Sequence, residues 1–210
     1  MDTRSWAGSS KTTLLDLTER LLILSLYGYL CARILLSTGN GTPANLLLLP
    51  SEGLVVLFVL IRRKAAELSI RRSDWFVALT ATIAPLLVQP ADGHHLVAPN
   101  LAACVLIIGF LVQVHAKLTL GRSFGCVPAN RGLKLSGPYR LVRHPMYAGY
   151  FLTHMAFLAI NPTVRNFTAY VLCYSLQIRR MIAEERLLCR EPRYSEYMAI
   201  VRYRVLPGIW

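Results

Sequence analysis

Six apolar runs divide the chain. The first, Leu21 to Leu36, follows Asp16, Glu19 and Arg20, so it is expected to begin as an amphipathic turn near Leu14. The second, Ala44 to Ile61, is interrupted by Pro50 and Glu52, and the third, Trp75 to Val88, is short. Val97 to Leu118 is long enough on its own to cross a bilayer, which takes about 20 apolar residues. Tyr147 to Ile160 and Val164 to Ile178 close the series, joined by Asn161-Pro162-Thr163, a helix stop with a turn. The pattern predicts an all-α fold: a polytopic membrane helix bundle of five to six apolar helices, the last two a helical hairpin. The second and third runs are marginal as full crossings. The first dozen residues are polar and no small-residue cleavage site follows the first run, so no cleaved signal peptide is expected.

Composition supports a membrane bundle. Of 210 residues, 54% are hydrophobic and 16% charged, against about 25% charged in soluble domains. Disorder and collagen are excluded and an ordinary soluble domain is disfavoured. Five Cys, an odd number with no C-x-x-C spacing, argue against a disulfide scaffold or zinc ribbon, and no metal site is expected. No internal repeat or low-complexity segment is visible.

The formal net charge of +12 fits either a nucleic-acid surface or a membrane face, and its placement decides between them. All but three of the 23 basic residues (Arg20, Arg33 and Arg165) fall in the N-terminal segment, the 62–72 loop, the 117–143 region or the segment after Arg179. The alternate loops, Ser37–Pro43 and Gln89–Leu96, contain none. A nucleic-acid binder would carry its charge on one continuous surface. This alternation is the positive-inside asymmetry, which places both termini in the cytoplasm and gives the lipid bilayer, not nucleic acid, as partner.

Two stretches depart from the apolar pattern. The first is Ser136-Gly-Pro-Tyr-Arg-Leu-Val-Arg-His-Pro-Met-Tyr-Ala-Gly149. Pro145 disfavours helix at His144 and suits the first position of a following helix, so His144 is expected at an N-cap, beside free backbone N–H groups. Such a helix start, with Arg140 and Arg143 nearby, suits an anion. Gly149 permits close approach of a ligand or a neighbouring helix. The same stretch also reads as a basic loop whose His144 and Arg143 face lipid phosphates. The second stretch is Gln177-Ile-Arg-Arg-Met-Ile-Ala-Glu-Glu-Arg-Leu188, in which Gln177, Arg180 and Glu184 share one helix face. The adjacent acids Glu184 and Glu185 invite a cationic ligand. The alternatives are a solvated face, or an Arg180–Glu184 pair in the less favourable order.

Taken together, Gly137-Pro-Tyr-Arg140, Arg143-His-Pro-Met-Tyr-Ala-Gly149, the Glu184-Glu185 pair one hairpin later and the Tyr194-Ser-Glu-Tyr197 tail resemble the integral-membrane methyltransferases related to isoprenylcysteine carboxyl methyltransferase and the phospholipid methyltransferases. The resemblance covers roughly Gly121 to Trp210; the N-terminal spans match only as apolar helices. It implies membrane helices over 1–120 and a catalytic region over 121–210, with S-adenosylmethionine bound on the cytoplasmic side under a C-terminal cap. By this resemblance Arg131, Gly132, Leu133, Lys134, Tyr139, His144, Pro145, Met146 and Tyr147 look like cofactor-site positions. Glu184 matches a cofactor-binding acid, and Arg180 stands where the family places an arginine near the substrate. At Arg131 and Gly132 the carry-over rests on backbone groups. The cofactor's methionine part is a zwitterion, whose carboxylate suits the His144 helix start and whose ammonium suits Glu184.

The implied reaction is methyl transfer to an apolar or lipid-like acceptor, most like the carboxylate of a prenyl-type substrate. Phospholipid amines and small thiols or phenols are alternative acceptors. Two rival readings are a sterol-type membrane reductase using NADPH, which shares an Arg-His-Pro-x-Tyr region, and a non-catalytic membrane subunit. The first matches less well at Ala183-Glu184-Glu185, and retention of His144, Tyr147, Arg180 and Glu184 together disfavours the second.

Overall fold

The computed structural model describes residues 10–37, 48–91 and 95–210. The polar start of the chain and the loop positions around Asn40 and Asp92 lie outside the described residues. Among the described residues, seven α-helices and one two-stranded pairing follow in order: α1 (Ser10–Ser37), α2 (Leu48–Ile61), β1 (Glu67–Leu68), α3 (Arg72–Ile83), α4 (Pro99–Leu120), β2 (Ala129–Asn130), α5 (Pro145–Ile160), α6 (Val164–Leu188) and α7 (Pro192–Ile200). The architecture is helical as the apolar runs predict, with the short antiparallel β1–β2 ladder as an addition to it.

Helix limits follow local chemistry. Pro99, Pro145 and Pro192 stand in the first turns of α4, α5 and α7, where the missing N–H costs nothing. Gly121, at φ 49°, ends α4. The third run is α3 followed by a 3₁₀ turn over Ala84–Leu87, because Pro85 cannot donate to the α ladder. Thr163 caps α6 by accepting from Asn166 N–H at 3.1 Å. The last apolar run stops at Ile178, but the helix continues to Leu188 and so carries the second polar stretch on the same rod.

Among the described residues one helix, Pro99–Ser123, with mean hydropathy 2.0, is long and apolar enough to cross a membrane. The helices on the second, third and fifth runs have 14, 12 and 16 residues. The longer α1 and α6 carry charge toward both ends, Asp16, Glu19 and Arg20 with Arg33 in the first and Arg165 with the Arg179–Arg186 cluster in the second.

The terminal hairpin forms as predicted, but its two arms pack elsewhere. Helix α5 lies against α4, and α6 against α3. The α4–α5 contact is close because two glycines meet: a Cβ on Gly149 would come within 2.7 Å of the Gly109 carbonyl, and one on Gly109 within 2.9 Å of the Gly149 carbonyl. Of the two uses foreseen for Gly149, the neighbouring helix is the one realised. Between α5 and α6, contact passes through rings, Phe151 with Tyr174 at 5.7 Å and His154 with Tyr170 at 4.7 Å.

The two ends of the bundle differ in chemistry. At one end Asn161 and the fully buried Asn166 tie the hairpin turn to the segment after α3: Gln89 N–H donates to Asn166 Oδ1, and Ala91 N–H to Asn161 Oδ1. At the other end the basic segments converge. The 63–69 loop is laced to the 122–130 loop by Arg63 N–H to the Arg122 carbonyl, by Ser69 N–H to the Pro128 carbonyl and by the β1–β2 ladder. Beneath that end lies the main core, Ile23, Val55, Phe58 and Val59 with Ala116, Phe124 and Cys126, which also takes in Tyr139 and Met146.

Candidate active site

The basic end holds an open pocket whose empty space, counted out to the solvent at its mouth, is about 730 Å³. Arg131, Gly132, Leu133 and Lys134 form one wall, Tyr139, His144, Met146 and Tyr147 a second, and Arg180 and Glu184 of α6 a third. All ten were placed at the site by sequence. Pro145, the eleventh, is buried as the first residue of α5 and lines no part of the cavity; its part is to set the helix start.

The loop wall is shaped by Gly132, whose φ of 95° suits glycine alone, and by Asn130 Oδ1, which accepts from Gly132 N–H at 3.0 Å. The Arg131 side chain is engaged by buried acids of α1, donating to Asp16 Oδ1 at 3.0 Å and to Glu19 Oε2.

His144 is the N-cap of α5, as expected, but its side chain makes no cap bond. Tyr147 and Ala148 N–H both donate to the His144 carbonyl. The anion-binding capacity of this helix start therefore narrows, among the described residues, to the Met146 N–H. The imidazole Nε2 lies 3.2 Å from Glu185 Oε1. Arg143 Nε approaches the same oxygen at 3.2 Å, and Arg204 Nε reaches Oε2 at 2.9 Å. Burial raises the Glu185 carboxyl, but the His144 hydrogen bond and charge, with Arg204 and Arg143, outweigh it and hold it below the usual carboxylate range.

The two adjacent glutamates thus part company. Glu185 is the hub of a buried ion cluster, while Glu184 makes no hydrogen bond or ion pair among the described residues and borders the cavity half-buried. The Arg180–Glu184 pair allowed by their spacing is not formed. A carboxyl whose folded pKa lies below its unfolded value, about 4.3, stabilises the fold above that value and ceases to do so as pH falls through the lowered one. We expect the unfolding temperature to drop as acid titrates Glu185. Glu185→Gln should lower it at neutral pH and flatten its fall in acid, read by thermal unfolding in detergent across pH 3 to 7, roughly the carboxylate window.

Arg180 is buried, donates from Nη2 to the Gly125 carbonyl at 3.3 Å and stands 5.8 Å from the Tyr147 ring centre. Its Nε and the Tyr147 hydroxyl are buried without partners. Buried polar atoms are rarely left so, and these two border the cavity's inner end. On the far side of Tyr147 lies a second cavity of about 570 Å³, walled by Phe151 of α5, by Tyr174, Ile178 and Met181 of α6, and by Val205, Leu206, Ile209 and Trp210 of the tail. Tyr147 lines both cavities.

Sequence reasoning missed several members. Tyr194 and Tyr197 of α7 close the first cavity on the side of the 131–135 loop, packing on Leu133 and Leu135. Burial pushes the Tyr197 phenol up to about 12, and its protonated hydroxyl donates to the Tyr139 carbonyl at 2.6 Å. The Tyr-x-x-Tyr tail was the available signal. The segment after α7, which the resemblance expects as a cap, is tied to the start of α5: His144 N–H donates to the Arg204 carbonyl and Arg143 N–H to the Tyr203 carbonyl.

Residues 93–191 match the phospholipid methyltransferase family. Over 151 residues, 68% of this chain and 67% of the other, the sequence is 24% identical to protein-S-isoprenylcysteine O-methyltransferase A of Arabidopsis thaliana. Every site residue drawn from the sequence falls inside the family match, and the chain is similar in sequence to methyltransferases of the phospholipid and isoprenylcysteine methyltransferase type.

Proposed function

We propose that the chain is an integral-membrane, S-adenosylmethionine-dependent methyltransferase whose acceptor is an apolar, lipid-like molecule ending in a carboxylate, most like a prenyl-type substrate. The observation that carries this reading is the junction at Tyr147, where a polar cavity with one unpaired acid meets an apolar one beside two unpartnered polar atoms. The residues present fit the cofactor. Glu184, unpaired among cations, suits an ammonium; Met146 N–H, Lys134 and the His144 edge suit a carboxylate; and the tyrosine and leucine walls suit an adenine face. S-adenosylmethionine supplies a methyl group on a sulfonium.

This chain's own residues bind, orient and exclude water. Positioning of that kind accounts for roughly 7–11 kcal/mol of barrier. The Arg180 guanidinium, with Nε free and Nη2 fixed on Gly125, orients an anionic acceptor group at the junction. A carboxylate acceptor is nucleophilic as it stands, so no base is required of the protein. The acceptor's apolar body lies between α5 and α6, reached from the bilayer. Membrane residence is supported by exposed apolar side chains along the outer faces, including Leu17, Leu21, Leu57, Leu60, Ile107 and Leu111. The convergence of the basic loops supports a cytoplasmic cavity and cytoplasmic termini.

Purified protein in lipid nanodiscs, given S-adenosylmethionine labelled in the methyl group, should transfer label to a farnesylcysteine-type carboxylate, as base-labile methyl ester, in preference to phosphatidylethanolamine or a short thiol. Transfer only to the amine or thiol would replace the acceptor class. Transfer to none would contradict the reading.

A further inference from the structure

Asp16 and Glu19 lie one turn apart near the start of α1, where acids before an apolar run ordinarily form a solvated flank. Here they are 7% and 1% exposed. Opposite them stand Arg62 and Arg131, each 4% exposed. Arg62 lies 3.1 Å from Asp16 and 3.2 Å from Glu19, and Arg131 bonds both acids. Two carboxylates and two guanidiniums thus balance in a buried square. A packed apolar cluster would serve stability as well as such a network, so its use has to be sought in what it fixes.

That use is visible at the other carboxylate oxygen. Glu19 Oε1 accepts from the backbone N–H groups of Cys126 and Val127 at 2.8 and 2.9 Å. The preceding residue, Gly125, offers the carbonyl that holds Arg180. It has no room for a side chain, because a Cβ there would lie 2.8 Å from Arg131 Cζ and 3.3 Å from Glu19 Oε1. Through the backbone Glu19 therefore reaches Arg180 in one direction, and through Arg131 it reaches the Gly132–Lys134 wall in the other. It lines neither cavity itself.

We propose that Glu19 is a positioning residue of the methyl-transfer site: from a helix outside the family match, it fixes the 125–131 loop and so sets both the cofactor wall and Arg180. This rests on the cofactor reading of the polar cavity. Arg131 then acts with Glu19 as one unit and not as a direct cofactor ligand.

The test is a double-variant cycle on full-length protein, Glu19→Gln, Arg131→Gln and both together. It is read by calorimetric affinity for S-adenosylmethionine and by hydrogen exchange of the 124–132 backbone without cofactor. Each single variant should weaken affinity by roughly 10- to 100-fold, the scale of a charge-assisted hydrogen bond, with faster exchange at Cys126 and Val127. The double variant should be no worse than the weaker single, since residues acting as a unit are not additive. Glu19→Asp keeps the charge but draws the oxygen back by one methylene. It should weaken affinity with an unfolding temperature near wild type, which a merely structural acid would not do. Additive losses, or wild-type affinity and exchange in Glu19→Gln or Glu19→Asp, would overturn the proposal. A wild type that binds no S-adenosylmethionine overturns the role in affinity as well. Faster exchange in Glu19→Gln would then place the failure in the cofactor reading and not in the anchor.

Discussion

Replacing Arg180 with lysine should lower single-turnover methyl transfer by roughly 10²- to 10³-fold, the cost of removing one preorganised donor from a reacting centre, with little change in cofactor affinity. Lysine keeps the charge but loses the planar fork. In this protein Nη2 is held on the Gly125 carbonyl, while Nε is buried without a partner in a side chain that lines the first cavity. An ammonium cannot hold the first and present the second. The structural alternatives make a different forecast. A partner for Glu184 would form an ion pair that is absent among the described residues, and a lipid anchor would be exposed, whereas Arg180 is 7% exposed. Arg179, its exposed neighbour, supplies the control: Arg179→Lys should turn over nearly normally. Near-normal turnover in Arg180→Lys would remove that residue from the substrate site and leave the methyltransferase assignment intact.

The second large effect is expected at Glu184. Glu184→Gln should raise the dissociation constant for S-adenosylmethionine by roughly 10- to 100-fold, the loss of one charge-assisted bond to an ammonium. Turnover at saturating cofactor should change less, because the interaction is made in the ground state as well. Adjacent Glu185 is the contrast. Its carboxylate is consumed by Arg143, His144 and Arg204, so its loss should register first as lost stability. Equal affinity in wild type and Glu184→Gln would move the ammonium elsewhere in the cavity.

What was legible in the sequence was whatever local chemistry dictates. The His144-Pro145 step gave the start of α5 and Asn161-Pro162-Thr163 the hairpin turn, because each acts within one turn of chain. The motif-bearing walls of the cavity were legible through the family resemblance. Helix partners were not. That α5 rests on α4 and not on α6 depends on Gly109 and Gly149 coinciding across two helices, which no single run reveals. Adjacency also hid the division of labour between Glu184 and Glu185, since one hundred degrees of helix rotation sends one to the cavity and the other to Arg143 and Arg204.

The least legible parts were those built from residues far apart in the chain. Asp16 and Glu19 read as the polar flank of a span, and their partner Arg131 as a cofactor-loop position, more than a hundred residues away. Val205, Leu206 and Ile209, which no motif singles out, wall the second cavity, and the strap that carries them is pinned through Arg204 to Glu185 and His144. Long-range pairing of this kind follows from the assembled bundle and leaves no periodic trace.

The central claim, that the polar cavity holds S-adenosylmethionine, is tested most directly by calorimetric titration of detergent-purified wild type and Glu184→Gln with S-adenosylmethionine and with NADPH. The account predicts saturable binding of S-adenosylmethionine by wild type, clearly weaker binding by Glu184→Gln, and no NADPH isotherm in either. NADPH binding with no S-adenosylmethionine binding, in folded protein, would contradict it.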